Sequence, residues 1–164
     1  MIKRLLFGLM LLVSTFAMPS AFAADFAVMT TSVTSRDTVT FQFSGEGSIN
    51  VDCGTDGTLS GTGVKGTLIT KKNTDSYRYS CTYQSSGQKR ITFSNPEIVA
   101  YNERPDTTPV ISFAGSSYVY SIKGDAASSF PDLGGNYGEY PSFVGAFQGC
   151  TNLVSIDDIR PSVM

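Results

Sequence analysis

The 164-residue chain has no histidine, no tryptophan and only three cysteines. Without histidine, neither a Ser-His-Asp nor a Cys-His catalytic arrangement can be assembled from it. Beyond one N-terminal stretch it has no long apolar run, so no later segment approaches a membrane span. Heptads and 3.6-residue apolar stripes are missing before about residue 125. Charge is sparse: 12 basic against 14 acidic side chains, a net of -2. Nucleic acid would need a concentrated basic face. Apart from Lys3-Arg4 near the N-terminus, the only basic pairs, Lys71-Lys72 and Lys89-Arg90, read as solvated loop or strand-end residues.

The N-terminal stretch has the layout of an export signal. Lys3 and Arg4 form a basic start, Leu5 to Phe16 an apolar core, and Ala21-Phe22-Ala23 a small-x-small cleavage pattern. The alternative is an apolar N-terminal helix. Residues 1–23 are thus expected to be a cleavable signal peptide, leaving a secreted or cell-surface chain that starts near Ala24. Its 141 residues suffice for one domain with a usable core. Losing Lys3 and Arg4 leaves 10 basic residues against 14 acidic ones, a net of -4.

What the chain does have is period-two alternation. Val39, Phe41 and Phe43 share one face of TVTFQFS, and Ile49, Val51 and Cys53 share one face of SINVDC. Tyr77, Tyr79, Cys81 and Tyr83 do the same in SYRYSCTY, as do Ile91 with Phe93, Ile111 with Phe113, and Tyr118, Tyr120 and Ile122. Gly45 to Gly47 and Ser85-Ser86-Gly87 mark hairpin turns, and Gly54 to Gly66 reads as a longer glycine-rich loop around at most a short strand. Six to eight short antiparallel strands follow, which pack most naturally as a β-sandwich over residues 24–124. After Gly124 the texture changes, with few β-branched residues and breaks at Pro131, Gly134-Gly135 and Pro141. A helical turn is expected near 126–130, a short helix near 142–147, and a second unit over 125–164.

Within that second unit, SFVGAFQGCTNLVSI resembles the leucine-rich-repeat unit of BspA-like bacterial surface proteins. Ala146-Phe147, Cys150, Leu153 and Ile156 stand at that unit's recurring offsets. The resemblance implies that Phe147, Cys150, Leu153 and Ile156 line one solenoid coil, with Cys150 a free thiol and Asn152 bonded to turn backbone. It also implies a repeat array cut off after its first coil, because about three repeats are needed for a stable stack. An uncapped coil would then promote self-association through its apolar edge. In the alternative, the unit caps one end of the sandwich. The upstream part is similar to the PKD-like (immunoglobulin-like) sandwich that precedes such repeats. Val51-Asp52-Cys53-Gly54-Thr55-Asp56-Gly57 stands for its Trp-Gly-Asp-Gly turn and Cys81-Thr82-Tyr83 for its His-x-Tyr strand. Cys53 replaces the Trp and Cys81 the His.

Those two departures suggest one event, a structural Cys53–Cys81 bridge, since both cysteines have core-facing parity and export places them in an oxidising compartment. Two separate buried thiols, a pairing with Cys150, or an intermolecular bridge through an odd cysteine remain open.

Few motifs suggest chemistry. Gly61-Thr62-Gly63-Val64-Lys65-Gly66 spells the dinucleotide fingerprint, but the following Thr67 to Thr70 reads as strand where the fingerprint needs a helix. Ser86-Gly87-Gln88-Lys89 spells Ser-x-x-Lys, yet straddles a hairpin turn and lacks partner motifs. Asp52, Asp56 and Glu46 do not follow a calcium-loop spacing and read as turn formers. No catalytic set, metal site or cofactor is expected. Tyr101, Tyr137 and Tyr140 lie in polar, loop-like contexts and are candidate ligand contacts, with packing between the sandwich and the repeat unit as the alternative. The resemblance implies a non-catalytic adhesion or protein-interaction protein that binds a protein or glycan on a host or neighbouring cell. The alternative is a small secreted carbohydrate-binding or inhibitor module acting as a monomer.

Overall fold

The computed structural model describes residues 25–102, 104, 107–134 and 140–158. The signal-like segment, Tyr137 and residues 159–164 lie outside the described residues. Among the described residues the chain is mainly β. Strands β1 (Phe26–Val33), β2 (Thr38–Phe43), β3 (Glu46–Asp52), β4 (Gly57–Gly61), β5 (Val64–Lys65), β6 (Leu68–Lys71), β7 (Tyr77–Tyr83), β8 (Gly87–Ala100), β9 (Ile111–Ser112) and β10 (Val119–Asp125) precede a one-turn helix α1 (Ala126–Ser129) and β11 (Ser155–Asp158).

The strands form two sheets, one ordered β11-β10-β1-β8-β3-β6-β5 and the other β4-β7-β2-β9. All pairings are antiparallel except β10 with β11, which is parallel. The sheets meet through inward aromatic side chains, among them Phe41 and Phe93, whose parity marked them as inward, and Phe26, which no alternating run had marked. Phe41 of β2 sets its ring edge-on against Phe93 of β8, centroids 5.3 Å apart, and Phe26 of β1 stacks on Phe93 at 4.7 Å. Phe113 closes the group against both Phe41 and Phe93. Burying each such ring contributes about 1.5–3 kcal/mol, so this aromatic layer is a large share of what holds the sandwich shut.

Several expectations shift. The stretch from Gly54 to Gly66 contains two edge strands, β4 beside β7 in one sheet and β5 beside β6 in the other. Its few apolar residues hid that, because edge strands need little burial. Strand β8 runs on for 14 residues through Pro96. It does so by a bulge against β3, with Asn95 in the left-handed region at φ 47°. A second irregularity between β1 and β10 turns Val119 inward and leaves Tyr120 at 40% exposure, against the expected shared face of Tyr118, Tyr120 and Ile122. The helical turn is present at Ala126–Ser129, capped by Asp125 Oδ1 accepting from Ser128 N. The helix expected near 142–147 is instead a run of turns over residues 144–149, broken by Gly145 and Gly149 at positive φ.

Those turns lie along the seam between the sheets. Ser142, Ala146 and Gln148 carbonyls accept from the N–H groups of Val110, Phe113 and Gly115, and Val154 N donates to Tyr120 O. This lacing has a consequence for the sheet beside it. Strand β9 pairs with β2 for only two residues, because beyond Ser112 its backbone turns to residues 146–148 instead.

Candidate functional site

Where β9 departs, a cleft of about 290 Å³ opens between β2 and residues 112–118. Thr38, Thr40 and Gln42 line its strand side, Ser116 and Tyr118 its loop side, and Arg78 of β7 one end. The backbone of β2 points into it on alternate residues. Tyr83 N donates to Asp37 O, which sets odd-numbered residues toward β7, while Ser44 N donates to Val110 O, which sets even-numbered residues toward β9. By strand alternation, the peptide groups of Thr38 and Thr40 face the cleft. Strand β9 reaches only Gln42 and Phe43, so it covers neither of them.

The side chains around this edge are polar and mostly engaged. Thr38 Oγ1 and Thr82 Oγ1 lie 3.1 Å apart, and Ser76 Oγ donates to Gln42 Oε1 at 3.0 Å. Arg78 is exposed and sits opposite Gln42 in the β2–β7 register, and its guanidinium makes no hydrogen bond or ion pair among the described residues. At the other end, Asp37 Oδ2 accepts from Thr34 N at 2.6 Å, and this backbone bond holds the carboxyl below its usual range. Burial, followed by the neighbouring Asp37, pushes the Tyr118 hydroxyl up.

The residues singled out from the sequence go to different places. Cys53 and Cys81 form a disulfide across the two sheets, Cα–Cα 5.7 Å. Phe147, Cys150, Leu153 and Ile156 are half-buried and all pack against the sandwich core; Phe147 stacks on Phe113 at 6.1 Å. Cys150 is a free thiol whose Sγ lies 3.2 Å from Phe113 O, and Asn152 Nδ2 donates to Ser117 O at 2.7 Å. Tyr101 is a correction. It is 5% exposed, its hydroxyl donates to Pro131 O, and it belongs to the core rather than to a loop surface. Its polar neighbours misled because strand β8 carries on to Ala100, and the side chain just past it packs into the core. Tyr140 is 39% exposed, and Tyr137 lies outside the described residues.

Two clusters resemble catalytic arrangements and resolve as structural ones. Ser85 Oγ lies 3.0 Å from Lys89 Nζ, beside the Ser-x-x-Lys pattern. A serine–lysine pair needs a neutral amine to take the serine proton. Here Asp56 pairs with that ammonium at 2.7 Å and also accepts from both Ser85 N and Ser85 Oγ. The Lys89 and Ser85 bonds hold the Asp56 carboxyl down at about 2, so the trio is a charged clasp over the β7–β8 turn. Lys71 is buried, its Nζ held by the carbonyls of Asn73 and Ser44 and lying 4.6 Å from the Tyr77 ring centroid; burial lowers it to about 8. Gly63 serves a tight turn, at φ 76° with Thr70 O only 2.1 Å from where a Cβ would stand, and leads into strands rather than a helix. Asp52 Oδ1 accepts from Gly54 N as a turn former. Among the described residues, no three acidic or thiol side chains converge to hold a metal ion, and no helix is long and apolar enough to cross a membrane.

Comparison with family models, characterised proteins and solved structures finds no match to this chain. The cleft escaped sequence reading because its defining feature is a pairing that stops, and no residue type marks where a neighbour strand will leave.

Proposed function

We propose that this is an exported, non-catalytic surface protein of the protein-interaction type, a PKD-like (immunoglobulin-like) sandwich with one leucine-rich-repeat-like coil laid along its edge. The disulfide supports export, since such bonds persist in oxidising compartments. The parallel strand β11 supports the coil, as do the four side chains that this segment turns toward the core. The observation that carries the functional reading is the cleft beside β2. A sheet edge with unpaired peptide groups is a ready template for another chain, and proteins without a use for one cover it. Here it is left open in a recess and framed by a rigid, cross-linked scaffold.

A second reading, a small carbohydrate-binding module, draws on the same lining, whose threonine, serine, glutamine and tyrosine side chains also suit sugar hydroxyls. Binding of the exported chain to immobilised peptides and to immobilised glycans, measured side by side, separates the two. Saturable peptide binding is expected. Saturable glycan binding with no peptide binding would replace the first reading with the second.

A further inference from the structure

We propose that the cleft is a strand-addition site for a short extended peptide whose carboxylate, at its C-terminus, pairs with Arg78. This inference rests on the protein-interaction reading above and specifies its ligand.

Three observations converge on it. The first is the backbone. Thr38 and Thr40 direct N–H and C=O groups into the recess, and a ligand strand there occupies the line that β9 would have followed had it not turned away at Phe113. A ladder of this kind gives affinity through main-chain bonds and leaves specificity to side chains. The second is size. About 290 Å³ holds a few residues of one extended chain, and Ser112 closes the Gln42 end while Tyr118 flanks the Thr38 end. The third is charge. Arg78 is the cation lining the cleft and is without a partner among the described residues, and a guanidinium binds a carboxylate by two parallel hydrogen bonds. The opposite end lies next to Asp37, which disfavours a carboxylate there. The ligand therefore runs parallel to β2, with its C-terminus at Gln42 and Arg78.

A random-peptide library displayed with free C-termini supplies the probe, selected on the wild-type chain and titrated against variants. Thr40→Pro removes the one N–H that the ligand's central bond requires; that group has no partner in β7, so an edge position of this kind tolerates proline. The expected result is a loss of at least about tenfold in Thr40→Pro, the worth of one good hydrogen bond. Amidating the peptide C-terminus should weaken binding by about tenfold in the wild type and leave Arg78→Gln unchanged. Should Thr40→Pro misfold, N-methylation of the peptide serves in its place: alternate positions abolish binding and the intervening ones spare it. Peptides that bind wild type and Thr40→Pro alike, or tolerate N-methylation throughout, would overturn the edge site while leaving the protein-interaction reading intact. Recovery of no peptide, with glycans bound instead, would overturn both.

Discussion

Phe113 and Phe147 stack with their rings 10° from parallel, and the backbone N–H of Phe113 donates to the carbonyl of Ala146 beside them. One residue thus belongs at once to the sandwich core and to the C-terminal segment. That double contact pulls the chain off β2 after Ser112 and so shapes the cleft. Truncating the half-buried ring in Phe147→Ala should cost about 2–3 kcal/mol in urea unfolding. It should also loosen residues 112–118, seen as larger amide shifts there than on β3 or β6. A change confined to the immediate contact shell would separate the cleft from the C-terminal segment.

The disulfide closes a loop of 28 residues between the end of β3 and the middle of β7. In the chain-entropy model such a loop is worth about 3.5 kcal/mol. The double variant Cys53→Ala/Cys81→Ala should lose about that much stability while keeping a β-type circular dichroism spectrum. Intact mass after alkylation should show one reactive thiol before reduction and three after it. Cys150 should react more slowly than a fully exposed thiol, since burial raises its pKa.

Tyr79 and Tyr83 place their hydroxyls in the core without hydrogen-bond partners among the described residues. An unpartnered buried hydroxyl costs about 1–3 kcal/mol of desolvation, so Tyr79→Phe and Tyr83→Phe should each be neutral or stabilising by about 1 kcal/mol. Destabilisation of either variant would mean that the hydroxyl has a partner.

Stability should depend on pH in three windows. Lys71 titrates at about 8 when folded and 10.5 when unfolded, so between these values the unfolded chain binds more protons and stability rises with pH. Tyr79 is pushed up to about 12 by burial, from 10.0, so the unfolded chain loses its proton first and stability falls over that range. Asp56 is held at about 2 against 3.8, and its contribution is present above 3.8 and lost as pH falls through 2. Lys71→Met should flatten the rise above pH 8 and leave the acid limb unchanged. Unfolding midpoints across the pH range check all three.

Much of the sandwich was legible because burial imposes period-two alternation, and β2, β3 and β7 show it plainly in Phe41, Val51 and Tyr79. The same parity brought Cys53 and Cys81 together. Illegible features were those where pairing, rather than burial, decides. The strands β4 and β5 carry few apolar residues, Tyr120 faces outward because of a slip between β1 and β10, and Tyr101 is buried just past the end of a β8 that runs on beyond its alternating stretch. The cleft is of this kind too. Thr38, Thr40 and Arg78 look like ordinary surface residues until the partner strand is seen to leave.

The most direct measurement is amide hydrogen exchange along β2, with and without a selected peptide. Val39 and Phe41 should be protected by β7 in both states. The Thr40 amide should exchange freely alone and slow markedly when the peptide is bound. Equal protection of Thr40 and Phe41 in the free chain, or a Thr40 rate that the peptide leaves unchanged, would contradict an open edge that recognises another chain.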